Sequence, residues 1–141
     1  MNDLSPTEIA IDLLKRGKSL DTIIQEAKLP TLGVYLFEFI CKKNVSIDTV
    51  AGLADLNKTS LYRILNGELN PRPNVLIRLS RVLDMDIEET QKLLKCGNCA
   101  SLSGSKPRDV YIMDGIIHNR TISEISDILA EHNLPDLFAK R

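Results

Sequence analysis

The sequence predicts an all-helical protein. Aromatic residues are few, with three Phe, three Tyr and no Trp in 141 residues, and runs that alternate polar and apolar residues as a strand would are scarce. Helix-capping residues recur along the chain instead, and the apolar residues between them follow helical spacing. A chain of this length can bury one sizeable core plus accessory helices. We therefore expect an all-α fold with one principal domain and helical extensions.

The first thirty residues predict a helical hairpin. Ser5 begins a capping box with Pro at the first helical position, and Gly17 ends the helix that follows. Ser19 then caps a second helix, which a Leu-Pro pair ends at Pro30.

The first part of residues 46–85 predicts two short helices joined by a tight turn. The inner faces of these helices are apolar, and the small Ala51 allows them to cross closely. These inner residues are Val50, Ala51, Ala54, Leu56, Leu61, Ile64 and Leu65. The outer face of the second helix is rich in hydrogen-bond donors, as side chains that read a DNA groove are, and carries Lys58, Thr59, Tyr62, Arg63 and Asn66.

The remaining segments complete a four-part organisation. Helices are predicted from Leu32 to Lys43, over residues 74–83 and from Asp86 to Lys95, and the Gly- and Ser-rich stretch after them is typical of a linker. The parts are an N-terminal hairpin (1–30), a central domain (31–95), a linker (96–107) and a C-terminal hairpin (108–141).

The two hairpins resemble one another, by duplication or by chance. Each has an apolar helix, a break, a Ser or Thr cap and a second apolar helix that ends in Leu-Pro. Such short hairpins cannot bury their apolar faces alone. We hypothesise that the C-terminal hairpin makes a homodimer; the alternative is that it folds back over its own domain.

The central segment resembles the helix-turn-helix family of the phage repressor and Cro type, also called the XRE family. The parts that match, in order, are the cap Ser46, the pair Val50-Ala51, the turn 55–57, the recognition helix 58–66, Gly67, the loop prolines Pro71 and Pro73, and Leu83-Asp84-Met85. The resemblance implies a lambda-repressor-like bundle. It departs from the family where Asp55 replaces the usual turn Gly, which Asp tolerates because it can adopt a left-handed backbone, and where Ile47-Asp48 replaces a common Gln.

The same resemblance assigns roles to individual residues. The first turns of the recognition helix would contact base edges, through Asn57, Lys58, Thr59, Tyr62 and Arg63. Contacts to phosphate would come from Lys43, Ser46, Asn70 and Arg72. Three alternatives stay open: Asn57 caps the helix, Tyr62 packs on a neighbouring helix, and Lys58 and Arg63 form an ordinary solvated face.

Charge is distributed unevenly along the chain. The net charge is −1, yet residues 42–108 carry eleven basic and seven acidic residues, and residues 42–81 carry seven against three. Phosphate contact requires a local excess of this kind. The alternative explanation is a set of solvated faces without a ligand.

Cys96 and Cys99 are weak candidates for metal binding. Two thiols at this spacing make half of a tetrahedral zinc site, which a second copy of the chain or the remote His118 would have to complete. The alternative is a helix end within a flexible linker. No cofactor motif is present, and we expect none to be bound.

Other classes find little support. The chain lacks an 18-residue apolar stretch and a signal peptide, which predicts a cytoplasmic protein. His118 and His132 are the only histidines, and no Gly-rich phosphate loop appears, so we do not expect an enzyme.

Two functions remain. The first is a sequence-specific transcriptional regulator that binds double-stranded DNA as a dimeric repressor and receives its signal through a protein partner. The second is a protein-interaction module with the same fold, antitoxin-like or anti-repressor, without strong DNA binding.

Overall fold

The computed structural model describes residues 30–139 together with Ile11 and Lys15. The chain divides into two compact units, Met1–Pro30 and Thr31–Arg141. The hairpin predicted for residues 1–30 lies outside the described residues. Seven α-helices and no strand make up the described part of the second unit, which confirms the all-α prediction.

The helices follow one another closely along the chain. They are α1 (Leu32–Lys43), α2 (Ile47–Leu53), α3 (Lys58–Leu65), α4 (Pro73–Val82), α5 (Ile87–Cys96), α6 (Pro107–Ile117) and α7 (Ile122–Glu131). None of the helices in the described part of the chain is long and apolar enough to cross a membrane.

Each of these helices begins with a residue that either accepts a hydrogen bond from the unpaired N–H groups of the first turn or lacks an N–H itself. In five of them the side-chain oxygen of the N-cap residue accepts a hydrogen bond from an N–H of the first turn. These N-cap residues are Thr31, Ser46, Asn57, Asp86 and Thr121. The other two begin with Pro73 and Pro107 at the start of the helix, where a missing N–H costs nothing. The predicted helix starts at Ser46 and Asp86 are confirmed, and the Ser or Thr cap predicted for the second helix of the C-terminal hairpin is Thr121.

Each helix is followed by one residue with a left-handed backbone. Six of these seven residues are Asn or Asp, and the seventh is glycine: Asn44, Asp55, Gly67, Asp84, Asn98, Asn119 and Asn133. Short polar side chains and glycine adopt this conformation at the lowest cost. Asp55 has a φ of 54°, so the prediction that it replaces glycine in a left-handed turn is confirmed.

One continuous core joins all seven helices. Its innermost residues include Leu36 on α1, Leu61 on α3, Leu79 on α4 and Leu93 on α5, all fully buried. The start of α1 lies so close to the end of α3 that a Cβ on Gly33 would overlap the carbonyl oxygen of Leu65. Only glycine permits this approach.

The C-terminal hairpin, α6 and α7, folds back onto the helices that precede it. Its buried side chains belong to the same core as those of α1 to α5, and they are Ile112, Ile116, Ile125, Leu129 and Leu137. The structure therefore has the alternative arrangement, in which the hairpin completes the core of its own domain. Val110 and Ile117 stay exposed on α6.

The segment between α5 and α6 is not helical, but it is held in place at several points. The side-chain amide of Gln91 donates to the carbonyl oxygen of Leu102 at 3.0 Å and accepts from its N–H at 2.8 Å. Cys99 and Leu102 also pack against the core. Composition predicted a linker here; the structure places this segment in the same compact unit as the helices on both sides, because a few apolar and amide contacts suffice to anchor it.

Candidate nucleic-acid interface

The helices α2 and α3 meet at a short corner that the sequence specifies closely. The N–H of Leu56 donates to the carbonyl oxygen of Ala51 at 2.8 Å, which closes the end of α2 around the left-handed Asp55. Asn57 then starts α3. Because Ala51 and Leu61 are buried where the two helices pack, the outer face of α3 has a defined direction.

The outer face of α3 presents polar side chains to solvent. Leu61 and Ile64 are 0% and 1% exposed on the inner face, whereas Tyr62 is 43% exposed. Tyr62 is thus partly covered by its neighbours and partly open to solvent. The exposed residues of this face are Lys58, Thr59, Tyr62, Arg63 and Asn66, which we call the α3 face.

Asn57 has a structural role at the start of α3. Its side-chain oxygen accepts a hydrogen bond from the N–H of Thr59 at 2.8 Å, as an N-cap residue does. This bond commits the acceptor of the amide to the helix. Asn57 therefore has less capacity to read a base than its neighbours Lys58 and Thr59.

Arg63 lies beside a carboxylate that sequence patterns did not single out. Its Nε is 4.0 Å from Oε2 of Glu68, and both side chains are more than half exposed. Glu68 follows Gly67, whose left-handed backbone brings the chain back past the end of α3. The available signal was the five-residue spacing across a glycine turn, which is not a helical pairing and so is easily missed.

The residues predicted to contact phosphate lie at the surface with different partners. Ser46 caps α2 through the N–H of Thr49 at 3.1 Å, and Asn70 and Arg72 are exposed in the loop before α4. Lys43 forms an ion pair with Asp84. A phosphate contact by Lys43 would therefore have to compete with this pair.

Two of the basic residues that sequence counted toward phosphate binding point inward instead. Arg78 and Arg81 on α4 are 8% and 7% exposed, and burial lowers the pKa of each guanidinium, opposed by the charges of Asp55 and Asp84 respectively. Between residues 42 and 81 this leaves five exposed basic residues against three exposed acidic ones. The local excess of positive surface charge is thus smaller than composition indicated.

The two cysteines of the CxxC pair are half-buried. Burial raises the pKa of the Cys96 thiol, opposed by Lys92, and burial also raises the pKa of Cys99. The Cys99 sulfur lies 3.8 Å from the carbonyl oxygen of Pro71. Within the described residues no group of three or more His, Cys, Asp and Glu side chains could hold a metal ion.

Comparison with known families matches this geometry. Residues 31–93 match the family model of a helix-turn-helix domain. The match, which covers a little under half of the chain, supports a helix-turn-helix domain over these residues. The helix-turn-helix domain spans α1 to α4 and most of α5, so α6 and α7 lie outside the matched region. No curated protein and no solved structure matched the chain.

Proposed function

We propose that this protein is a sequence-specific DNA-binding transcriptional regulator that acts as a dimeric repressor of the phage repressor and Cro type, without enzymatic activity. The α3 face is the observation that carries the proposal. Its donors are exposed on α3, the second helix of the helix-turn-helix motif that α2 and α3 form. The second helix of such a motif enters the major groove of DNA.

Base reading falls to the residues that project from the first two turns of α3. Lys58 and Arg63 can donate to the O6 and N7 acceptors of guanine, and Thr59 can contact a thymine methyl group. Tyr62, with its ring exposed, can pack on a base edge or donate to phosphate. Each of these contacts needs a side chain that the protein core does not already hold.

Backbone positioning falls to Arg72, Asn70 and Ser46, with Lys43 joining if its pair with Asp84 opens. Arg72 occupies the N-cap position directly before α4 and is exposed to solvent. Its guanidinium is therefore available to a phosphate, and each such contact releases condensed counterions.

The repressor binds as a dimer in this proposal, through the exposed apolar residues that α6 retains. Val110 and Ile117 are 44% and 61% exposed, and their seven-residue spacing places them on one side of the helix. Two recognition helices set about 34 Å apart would match two half-sites of a palindrome. Ile117→Lys should then shift the sedimentation of the protein from dimer to monomer, whereas Ser123→Lys, at an exposed position of α7, should not. A monomeric wild-type protein would contradict the dimer.

Selection from a random DNA duplex pool tests the proposal directly. We expect the purified protein to enrich a palindromic motif, and affinity for that motif to fall steeply with salt. A variant with Lys58 and Arg63 both changed to Ala should enrich nothing. Folded wild-type protein that enriches no sequence at low salt would contradict DNA recognition.

Two single substitutions separate base reading from phosphate contact. Arg63→Ala should cost about 1–3 kcal/mol on the selected site and little on random DNA. Arg72→Ala should weaken both alike and reduce the salt slope by about 1. Titrations of both DNAs at several salt concentrations measure the difference. Equal losses for the two variants on both DNAs would contradict these assignments.

A protein-interaction module is the second candidate, and exposed carboxylates favour it. Asp48 on α2, Asp55 in the turn and Glu68 after α3 are all exposed, and a carboxylate close to DNA would repel phosphate. An antitoxin-like or anti-repressor protein could use such a mixed surface. If selection from DNA fails, affinity capture on the wild-type protein, with the Lys58 and Arg63 double variant as control, tests this function.

A further inference from the structure

A buried arginine connects the corner between α2 and α3 to the end of the chain. The Nε of Arg78 donates to the carbonyl oxygen of Ala54 at 2.8 Å, and Nη1 donates to the carbonyl oxygen of Leu137 at 2.6 Å. The guanidinium carbon also lies 5.2 Å from the centre of the Phe138 ring. Arg78 is 8% exposed, so water competes little for these bonds.

The carbonyl of Ala54 occupies a sensitive position. Ala54 is the C-cap residue that directly follows α2, and carbonyls at helix ends lack partners within the helix. The next residue, Asp55, has the left-handed backbone that turns the chain toward α3. A hydrogen bond to the carbonyl oxygen of Ala54 therefore restrains the corner that sets the direction of α3.

On its other side Arg78 holds a segment that other side chains also fix. We call residues 135–139 the C-terminal segment. Arg108 donates to the carbonyl oxygens of Pro135 and Asp136 at 2.7 Å and 2.8 Å, and Asn74 donates to that of Ala139 at 2.7 Å. The Leu137 side chain is fully buried. The segment is thus a fixed support for Arg78.

We propose that Arg78 is a positioning residue for DNA recognition, through which the C-terminal segment, outside the matched helix-turn-helix domain, sets the angle at which α3 is presented. This inference rests on the proposed DNA-binding function. The physical reason is the rigid fork of the guanidinium, whose planar donors hold two carbonyls in one geometry. A flexible or apolar side chain cannot maintain both bonds at once.

Arg81, one helical turn further along α4, provides a matched control. It is buried to the same degree and also donates to two carbonyl oxygens, those of Arg120 and Met85, at 3.1 Å each. Neither carbonyl belongs to α2, α3 or the corner between them. Loss of Arg81 should therefore reduce stability without changing how α3 is presented.

The test compares full-length Arg78→Met, Arg78→Lys and Arg81→Met with the wild-type protein at a temperature where circular dichroism shows each to be folded. Amide hydrogen exchange of residues 55–60 reports on the corner, and titrations of the selected site and of random duplex report on recognition. We expect faster exchange at the corner in Arg78→Met only. We also expect its ratio of specific to random affinity to fall about tenfold, as for the loss of a good base contact.

The remaining variants make the result decisive. Arg78→Lys keeps the charge and one donor group, so it should lie between wild type and Arg78→Met, and it serves as the reporter if Arg78→Met does not fold. Arg81→Met should keep the affinity ratio within about twofold of wild type, because it removes no contact to the corner. An equal fall in that ratio for Arg78→Met and Arg81→Met would overturn the inference.

The failure of this inference and that of the proposed function are distinguishable. If wild type selects a motif and Arg78→Met and Arg78→Lys keep its affinity ratio, only the positioning role is overturned. If wild type selects no motif, the proposed function fails, and the role of Arg78 in DNA recognition fails with it, whatever the exchange data show.

Discussion

Neighbouring helices α3 and α4 both carry arginine, and they use it in opposite ways. Arg63 on α3 has a side chain 51% exposed, with a single loose carboxylate neighbour. Arg78 and Arg81 on α4 are buried and donate to backbone carbonyls of residues that lie outside the helices. The same residue type faces solvent in one helix and holds the fold together in the next.

The difference shows that the structural role of an arginine depends on which hydrogen-bond acceptors lie nearby. Helix ends and irregular segments leave carbonyls without partners, and a guanidinium can satisfy two of them from within a core. Charge-assisted hydrogen bonds offset the cost of burying its charge. In a protein with many short helices, composition alone therefore overestimates the number of arginines that are available to contact DNA.

The largest expected effect tests whether the C-terminal segment, which Arg78 contacts at Leu137, belongs to the core. Leu137→Ala should lower the free energy of unfolding by about 2–5 kcal/mol, because it leaves a cavity at a fully buried site. Leu53→Ala, the same change at a site 61% exposed on α2, should change it by no more than about 0.5 kcal/mol. Urea denaturation measures both. A neutral Leu137→Ala would show that the C-terminal segment is not held in the core.

An effect of intermediate size tests whether buried and exposed arginines contribute differently to stability. Arg81→Met should destabilise the fold by about 2–4 kcal/mol, since two buried carbonyls lose their donor. Arg63→Met removes the same group from the surface and should cost at most about 0.5 kcal/mol. Thermal unfolding of the two variants side by side provides the measurement. Similar losses would mean that burial does not separate the two roles.

The smallest expected effect concerns the carboxylate beside Arg63. Glu68→Gln should strengthen binding to the selected DNA site by up to about 1 kcal/mol, as it removes an exposed negative charge and releases Arg63. The gain should shrink as salt rises. Glu131→Gln, an equal change of charge on α7, serves as the control. Weaker binding by Glu68→Gln would instead indicate that the carboxylate orients Arg63 or contacts a base.

Local features of the fold were predictable because they depend on neighbours in the chain. Ser46 and Asp86 begin helices as expected, and Asp55 takes the left-handed backbone expected at the turn. Asn57 caps α3, which was one of its two predicted roles. Capping and left-handed turns involve residues at most five apart, so a short stretch of sequence contains all the information they need.

The all-α class, the boundaries of α1, α3, α4 and α5 to within one residue, and the apolar and polar faces of α3 could be predicted from the sequence, because each follows from local spacing. Three features could be seen only in the tertiary structure: Arg78 and Arg81 point inward, residues 97–106 are anchored, and α6 and α7 complete the core. The physical reason is distance along the chain. Arg78 binds carbonyls that lie 24 and 59 residues away, and whether a charged side chain faces water or a carbonyl depends on which of these distant groups the packed helices bring within reach.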